Sequence, residues 1–413
     1  VFVSGSDSDV ARYRLPVIVR EYGLGHLREQ DRTAEARDAH ARYIFDLILQ
    51  ATDTISSPGF ADWIPRLSAV APDIKAALDW TLPRWPRSET LRVAPGLLHF
   101  WYRTGNPVDA AKWGKAMITE IEGVPNHLVA SARSCVGFAA NVLGDEHEAL
   151  YQIEAAVALV RDGAHQRTLI NALWGRGHVA IQVGDFQTAH RCATEALAIC
   201  DDIGDPWLRA DPLALLGFAF LFSGQSLDDA RRYSEEAQAL FREFGDTASQ
   251  TVMNPLSVIA MRQRDLVAAE RYALDVAALA AGSGWEAAAL VNLAEVFLAQ
   301  GRLDEATSTL QRAVTRGLDA GLENWFRMGL RDLGQVAVAR KTPRRAALLF
   351  GASRRNAPVY GLDPTIYEPM EAYCRGKLGD EQFTLVSQEG GRMGYEQLME
   401  LALDEPRDRL ASV

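Results

Sequence analysis

A turn position recurs about every forty residues, and this period restricts the possible fold more than any other feature of the 413-residue chain. The positions are Gly105, Gly144, Gly184, Gly224, Arg264, Gly301 and Lys341, with spacings of 39, 40, 40, 40, 37 and 40 residues. Most of these turn positions are followed by Asp, Gln or Glu. Their side-chain oxygens can cap the free backbone N–H groups at the start of a helix, and the acidic ones are also favoured there by the helix dipole. The pattern therefore predicts an array of helical repeats.

Small residues recur with the same period. Alanine lies five residues after most turns, and one residue later in one copy: Ala110, Ala149, Ala189, Ala230, Ala269, Ala306 and Ala346. Small residues also lie seven before the turn, at Gly137, Gly177, Gly217, Ser257, Ala294 and Gly334, and twelve or thirteen after it, at Ala156, Ala196, Ala237, Ala277 and Ala313. Over residues 126-358 these positions resemble those of the tetratricopeptide repeat, where small side chains let paired helices approach closely.

The resemblance implies an all-α fold, a tetratricopeptide-like α-α superhelix in which antiparallel helix pairs form a right-handed solenoid. Two features depart from that family: the period exceeds its usual length of about 34 residues, and the proline that often closes the motif is missing. We expect the extra residues to lengthen the helices or the connecting turns. The alternative interpretation is an irregular bundle of amphipathic helices.

Helical patterns also flank the repeats. Residues 31-125 are predicted to hold entry helices and a first degenerate repeat, with helices at Ala34 to Thr52, Ile74 to Leu82 and Leu91 to Arg103. Residues 359-413 are predicted to cap the exposed end, with helices at Asp363 to Leu378, Glu381 to Ser387 and Tyr395 to Leu403.

Charge and cysteine content narrow the class of protein. The formal net charge of -11 argues against a nucleic-acid surface spread over this chain, since phosphate binding needs an excess of Lys and Arg. Four cysteines without a CxxC pair fit a reducing cytoplasm. The longest apolar stretch, Leu213 to Phe222, is shorter than a membrane span, and the first residues do not resemble a signal peptide. We therefore expect a cytoplasmic protein that does not contact a membrane.

Five segments carry a second resemblance. They are RYRLPVIVREYGLGHL from Arg12 to Leu27, PDIKAALDW from Pro72 to Trp80, LLHFWYRTG from Leu97 to Gly105, LFGASRRN from Leu349 to Asn356, and LGDEQFTLVSQEGGRMGYEQLMELAL from Leu378 to Leu403. They resemble segments of the actinobacterial NB-ARC (STAND-type) signal-transduction ATPases, the LuxR-family, AfsR-like transcriptional regulators.

This resemblance implies a multidomain parent in which an ATPase and a winged helix precede the repeats, and a LuxR-type helix-turn-helix follows them in many members. VFVSGSDSDV resembles the opening of the winged helix, but RYRL follows much sooner than in the family. Residues 1-30 are therefore interpreted as a remnant of that domain and a linker helix. ATP and DNA would be bound only by parts outside this chain, in which we predict no cofactor.

The chain lacks the residue patterns of common active sites. It contains no GxxxxGK[ST] loop for a nucleotide phosphate, no HExxH pair and no GxSxG elbow around Ser283, which is predicted to lie in a turn. Glu146, His147 and Glu148 are predicted to form the first turn of a helix, where acidic residues are favoured by the dipole, so no metal site is assigned. Catalytic and metal-binding residues are both predicted to be absent.

Binding residues are expected on the first helix of each repeat, because these helices line the concave face of a repeat superhelix. By analogy with tetratricopeptide repeats, the groove positions lie thirteen, ten, six, three and two residues before each turn. The polar and aromatic residues there are Asn141, Asn171, Trp174, His178, Gln182, Asp211, Phe218, Phe222, Asn254, Arg262, Glu295, Arg331 and Gln335. The aromatic members could instead fill space between repeats, and the polar members could simply be solvated. Tyr102 was assigned to the core of the entry repeat.

Three functional hypotheses remain at this point. In the first, a peptide, protein or small-molecule effector binds in the groove and biases the ATPase and DNA-binding parts of the parent. In the second, the repeats are a passive scaffold for homo-oligomerisation or for a protein partner. In the third, the chain is an enzyme, for which His178 with Asp211 is the pair of titratable groups to inspect.

Overall fold

The computed structural model describes residues 2, 3, 13, 14, 16–55, 57, 59–243, 245, 249–354 and 364–404, with the backbone alone for residues 2, 3, 13, 14, 249–254 and 364–367. Helices make up nearly all of this part, and a two-residue β-strand, β1 (Phe2–Val3), pairs antiparallel with β2 (Tyr13–Arg14). Residues 4–12 lie outside the described residues, so the winged-helix remnant stays a prediction. Among the described residues, no helix is long and apolar enough to cross a membrane.

The entry segment is more helical than its sequence predicted. It contains α1 (Val17–Glu29), α2 (Thr33–Thr52), α3 (Phe60–Ala69), α4 (Ala71–Thr81) and the short α5 (Arg87–Thr90). The helices predicted near α2 and α4 are confirmed within three residues, whereas α3 was missed. Pro65 lies inside α3. Because proline is normally taken to end a helix, its presence hides the helical pattern of this segment in the sequence.

Seven antiparallel helix pairs follow within the described residues. They are α6 (Ala94–Thr104) with α7 (Pro107–Met117), α8 (Asn126–Leu143) with α9 (Glu146–Val160), α10 (Gln166–Gln182) with α11 (Phe186–Ile203), α12 (Ala210–Ser223) with α13 (Leu227–Glu243), α14 (Ser249–Arg262) with α15 (Leu266–Ala280), α16 (Glu286–Ala299) with α17 (Leu303–Asp319), and α18 (Glu323–Ala339) with α19 (Pro343–Ser353). The prediction of an all-α, tetratricopeptide-like superhelix is confirmed. The long period resides in the helices, since α10 and α11 alone span 17 and 18 residues.

The repeated turn is a left-handed backbone position. All seven predicted turn residues have positive φ, from 60° at Lys341 to 85° at Gly144. Glycine adopts this conformation without a steric penalty, whereas Arg264 at 63° and Lys341 adopt it as non-glycine residues. The left-handed residue ends one helix of the pair, and a side chain such as that of Asp185 then caps the next helix by accepting from the Thr188 N–H at 3.0 Å.

The periodic small residues lie where helices cross. Each of the seven alanines after the turns is 0% exposed. A Cβ on Gly137 would lie 2.5 Å from Cγ1 of Ile153 on α9, and one on Gly177 would overlap the side chain of Leu215 on α12. These positions are therefore small because the neighbouring helix occupies the space of a larger side chain.

Three helices follow the repeats: α20 (Pro364–Leu378), α21 (Asp380–Arg392) and α22 (Tyr395–Leu403). The prediction for α22 is confirmed at both ends, and that for α20 agrees from Pro364, since Asp363 lies outside the described residues. The helix α21 is longer than predicted and continues through Gly390. A Cβ on Gly390 would lie 2.8 Å from the carbonyl carbon of Leu348 on α19, so this glycine permits close helix packing rather than breaking the helix.

The superhelix closes on itself between its first repeat and the turn before α16. The backbone N–H of Gly284 donates to the carbonyl oxygen of Thr104 at 2.9 Å. The indole Nε1–H of Trp285 donates to the carbonyl oxygen of Tyr102 at 2.7 Å. A Cβ on Gly284 would overlap the carbonyl oxygen of Gly105, so the two backbones touch directly. We call these five residues the closure contact; it joins segments about 180 residues apart in the chain.

Candidate ligand cavity

The first helices of the repeats surround one large cavity of about 1220 Å³. Most of its lining comes from α6, α8, α10, α12, α14, α16 and α18, the helices expected to face the groove. Trp285 of the closure contact and a few residues of α9, α11, α15, α17 and α20 also line it. Pockets for drug-sized molecules usually measure about 300–1,000 Å³. This cavity is therefore large enough for a sizeable small molecule or a short peptide.

The sequence-predicted groove residues gather around this cavity. Those that line it are Asn141, Asn171, Trp174, His178, Gln182, Phe218, Phe222, Arg262, Glu295, Arg331 and Gln335. Asp211 instead lines a small adjoining pocket together with Asn171 and Trp174. The side chain of Asn254 lies outside the described residues. The structure thus places these residues together, while their role in binding stays a prediction.

One wall of the cavity is aromatic. Tyr102 lies with its ring centroid 4.6 Å from that of Trp174 in an edge-to-face arrangement, and Trp174 is in turn 4.6 Å from His178. His178 is 5.8 Å from Phe218, whose ring stacks on Phe222 at 6.1 Å. A continuous row of rings therefore runs from α6 through α10 to α12. Such a wall offers a large apolar contact area to a ligand.

The two histidines near this wall are neutral at physiological pH. Burial lowers the pKa of His178 to about 4. Burial, with a contribution from the positive charge of Arg103, lowers the pKa of His99 to about 3. The neutral His99 ring lies with its Nε2 3.1 Å from the amide nitrogen of Asn171, which fits an amide N–H donated to the imidazole. The aromatic wall therefore carries no histidine charge.

A second part of the lining carries a buried charge cluster on α16 and α18. Arg331, which is 2% exposed, donates from Nε to Oδ1 of Asp332 at 2.7 Å and from a terminal nitrogen to Oδ2 at 3.1 Å. The same terminal nitrogen donates to Oε1 of Glu295 at 3.0 Å. Gln335 donates its amide N–H to Asp332 at 2.6 Å. One guanidinium thus faces two carboxylates, and burial together with Asp332 raises the pKa of Glu295 to about 7.

Two further polar side chains of the lining, Arg262 and Gln182, differ in their hydrogen bonding. Arg262 donates to the carbonyl oxygen of Leu221 at 2.7 Å, near the C-terminal end of α12. The Oε1 atom of Gln182 is buried and accepts no hydrogen bond within the described part of the chain. Since a buried polar atom without a partner costs free energy, a ligand N–H group at Gln182 would be favourable.

Sequence reasoning missed five aromatic residues of the lining: Tyr102, Phe138, Phe186, Trp285 and Trp325. Tyr102 is buried, as the core assignment predicted, yet it also contacts the cavity. It lies three residues before Gly105, and Phe138 lies six residues before Gly144, so the groove spacing could have identified both. Trp285 immediately precedes α16 and fits none of the groove positions; only the closure contact brings it to the cavity.

The structure gives no support to the His178 and Asp211 pair as a catalytic unit. His178 packs between the rings of Trp174 and Phe218, and Asp211 lines the adjoining pocket. Ser283 lies in the turn before α16, as predicted, where its hydroxyl donates to the carbonyl oxygen of Ala280 at 2.7 Å. Among the described residues, no group of three or more His, Cys, Asp or Glu side chains is arranged to hold a metal ion.

No protein-family model matches the chain, and no curated protein matches it. Solved structures do resemble it. A Rap protein complexed with competence and sporulation factor has a TM-score of 0.55 and 13% identity, over 89% of this chain and 98% of that one. A STAND protein with a tetratricopeptide repeat sensor, from Pyrococcus horikoshii, has a TM-score of 0.52 and 14% identity, over 84% of this chain and 53% of that one. At these identities the likeness establishes the fold: a tetratricopeptide-type repeat superhelix.

Proposed function

We propose that this chain is the sensor region of a multidomain transcriptional regulator, and that an effector bound in the cavity controls ATPase and DNA-binding parts outside this chain. The observation that carries the proposal is the cavity itself, which lies inside a closed superhelix and combines an aromatic wall with convergent polar groups. Such a combination is typical of ligand sites. We place the protein in the cytoplasm.

Two likenesses support the regulatory part of the proposal. The sequence segments described above resemble NB-ARC regulators of actinobacteria at both ends of the chain. The Pyrococcus horikoshii structure joins a repeat sensor of the same fold to a signal-transduction ATPase, and the Rap structure contains competence and sporulation factor. A repeat region that reads a signal for its neighbouring domains is therefore the function we favour.

The closure contact supplies a physical route for regulation. A ligand regulates only if it binds two states of the protein with different affinity. Opening the contact between Gly284 and Thr104 would separate Trp285 from Tyr102 and so change the aromatic wall. A ligand that packs on this wall would favour the closed superhelix, and the shape of the superhelix would then report its presence to attached domains.

A thermal-shift screen of this chain against peptides and metabolites tests the proposal. A ligand at about one hundred times its Kd stabilises a protein by about 2.7 kcal/mol, which for a chain of this length corresponds to a rise in Tm of about 3 °C. Hits are then repeated with Trp174→Ala and with Trp80→Ala. The second variant is a matched control, because the partly buried Trp80 donates to Asp38 on the entry helices, away from the cavity.

The sensor proposal requires that the Tm rise disappears in Trp174→Ala and persists in Trp80→Ala. In the complete regulator, the same ligand should change ATP hydrolysis or DNA binding, and Trp174→Ala should abolish that change. Equal shifts in both variants would place the ligand elsewhere and refute the cavity as its site.

A passive scaffold is the second candidate function, and helix α1 is the feature that favours it. Val17, Ile18 and Tyr22 are largely exposed, and α1 buries none of its residues. An exposed apolar helix of this kind suits association with a second copy or with another protein. Light scattering of the wild type and of a Val17→Ser, Ile18→Ser variant distinguishes the candidates: a stable oligomer that is lost in the variant, with no ligand found in the screen, would favour the scaffold.

A further inference from the structure

The charge cluster in the cavity lining identifies a chemical class of ligand, and this inference rests on the proposed function of the cavity. Three of the four cluster side chains satisfy one another. Asp332 is fully buried and accepts from both Arg331 and Gln335. Glu295 differs, since its side chain is 28% exposed, lines the cavity and receives a single hydrogen bond, at Oε1.

The cluster therefore presents an unneutralised carboxylate to the cavity. When both carboxylates are ionised, Asp332 and Glu295 carry two negative charges against the one positive charge of Arg331. A cation bound at Glu295 would therefore favour the ionised form of this carboxyl, whose pKa burial and Asp332 raise. Within the described residues, Oε2 of Glu295 accepts no hydrogen bond, although a carboxylate oxygen has room for two. A ligand cation placed here would neutralise the excess charge and fill this acceptor, and charge-assisted hydrogen bonds are the strong ones.

An anionic ligand would not fit the same place. Arg331 directs its Nε and one terminal nitrogen at Asp332 and Glu295. An anion bound at this place would therefore lie next to two carboxylates, which repel it. The remaining cation of the described lining, Arg262, is bound to the carbonyl oxygen of Leu221, where the C-terminal dipole of α12 offsets its charge.

The aromatic wall is compatible with the same ligand class. The neutral imidazole of His178 adds no positive charge that would repel a cation. The faces of Trp and Tyr rings attract cations, and Trp174, Tyr102 and Trp285 all line the cavity. The buried Oε1 of Gln182 is a second unpaired acceptor for a donor group such as an N–H. The lining thus offers acceptors and ring faces to a cation with an apolar body.

We propose that the cavity binds an organic cation, a protonated amine or guanidinium attached to an apolar or aromatic body, with the cation hydrogen-bonded to Glu295. The cation has two possible sources: a free small-molecule amine or the basic side chain of a short peptide. Both place the same charged group at Glu295, and separate probes distinguish them.

Isothermal titration calorimetry with matched probes tests the charge. The small-molecule set is tryptamine, its neutral N-acetyl derivative and indole-3-propionic acid, which share the ring and differ in charge. The peptide set is an acetylated, amidated pentapeptide of leucine and phenylalanine with one central lysine, and the same peptide with norleucine in place of lysine. Each probe is titrated into the wild type, Glu295→Gln and Glu305→Gln. The last variant is the charge control, because Glu305 is exposed on α17 outside the cavity.

We expect one cationic probe to bind the wild type about tenfold or more tightly than its uncharged partner, as a charge-assisted hydrogen bond would give. Glu295→Gln should reduce that ratio to near one, and Glu305→Gln should retain the preference. The set that shows the ratio, indole or peptide, identifies the source of the cation.

Four outcomes would overturn the proposal. A ratio that is unchanged in Glu295→Gln would show that this carboxylate does not select the ligand, and tighter binding of the carboxylate probe would reverse the charge. If neither cation binds at millimolar concentration while the screen yields a neutral or anionic ligand that is lost in Trp174→Ala, the charge assignment is wrong and the sensor function stands. If no ligand of any charge binds, both proposals fail.

Discussion

The closure contact makes a quantitative prediction for Gly284→Ala. The φ of Gly284 does not require glycine, so the added methyl group acts through its neighbours alone. Its carbon would lie 2.6 Å from the carbonyl carbon of Gly105 and would overlap the oxygen. Carbon atoms prefer separations of about 3.5–4.0 Å, so the two backbones must move apart by roughly 1 Å or more. The hydrogen bonds of Gly284 and Trp285 across the contact would then be lost.

The magnitude follows from those contacts. Two hydrogen bonds contribute about 0.5–1.5 kcal/mol each. The ring pair of Tyr102 and Trp285 contributes about 0.5–1.5 kcal/mol more. The loss is therefore about 2–4 kcal/mol. With an unfolding entropy of about 2.1 cal/mol/K per residue, this lowers the Tm of a chain of this length by roughly 2–5 °C if unfolding is a single transition.

Calorimetry and small-angle X-ray scattering together check this prediction. Because repeats are stabilised chiefly by their sequence neighbours, the helix pairs should survive while the superhelix opens, so the radius of gyration should increase. Gly163→Ala in the turn between α9 and α10 is the matched control. The nearest neighbour of a Cβ there is the carbonyl oxygen of Val160, at 3.7 Å, so the Tm and scattering of Gly163→Ala should match the wild type. If Gly284→Ala also matched the wild type in both, the closed superhelix would be refuted.

Three further predictions concern the repeats and the charge cluster. Gly334→Ala places a Cβ 2.6 Å from the ring of the buried Phe350, so urea denaturation should show a loss of about 1–3 kcal/mol. Lys341→Gly should raise the free energy of unfolding by roughly 1 kcal/mol, because φ is +60° at this position; an equal loss would contradict the role of the left-handed turn. Since burial raises the pKa of Glu295 from 4.5 to about 7, the folded chain binds more protons than the unfolded chain between these values, and its stability falls as pH rises through them. The Tm of Glu295→Gln relative to wild type should therefore be higher at pH 8 than at pH 5, as measured by calorimetry.

The repeat architecture was predictable because it depends on the spacing of turn residues and small residues along the sequence. The turn at Gly184 is set by its left-handed φ of 78°. The buried alanine at position 189 and the small Gly177 are set by packing within one repeat or with its neighbour. The same periodicity assigned Trp174 and Phe218 to the inner face. Contacts between successive helices depend on few residues, so sequence reasoning reproduces them.

The closure of the superhelix was not predictable in this way. It depends on the small rotation between neighbouring repeats summed over several pairs, and no residue spacing encodes that sum. The sequence therefore did not predict that Trp285 lines the cavity, and it predicted a core position but no cavity contact for Tyr102. Three of the four members of the charge cluster, Arg331, Glu295 and Gln335, were expected at the groove. The fourth, Asp332, is fully buried and was not expected there.

Hydrogen–deuterium exchange of this chain, with and without a ligand recovered from the screen, tests most directly whether the cavity is the sensor site. A ligand in the cavity should protect α10, α12 and α16 and should slow exchange of the Gly284 N–H that forms the closure contact. Protection confined to α1 or to the second helix of each pair, with exchange at Gly284 unchanged, would contradict a ligand site inside the closed superhelix.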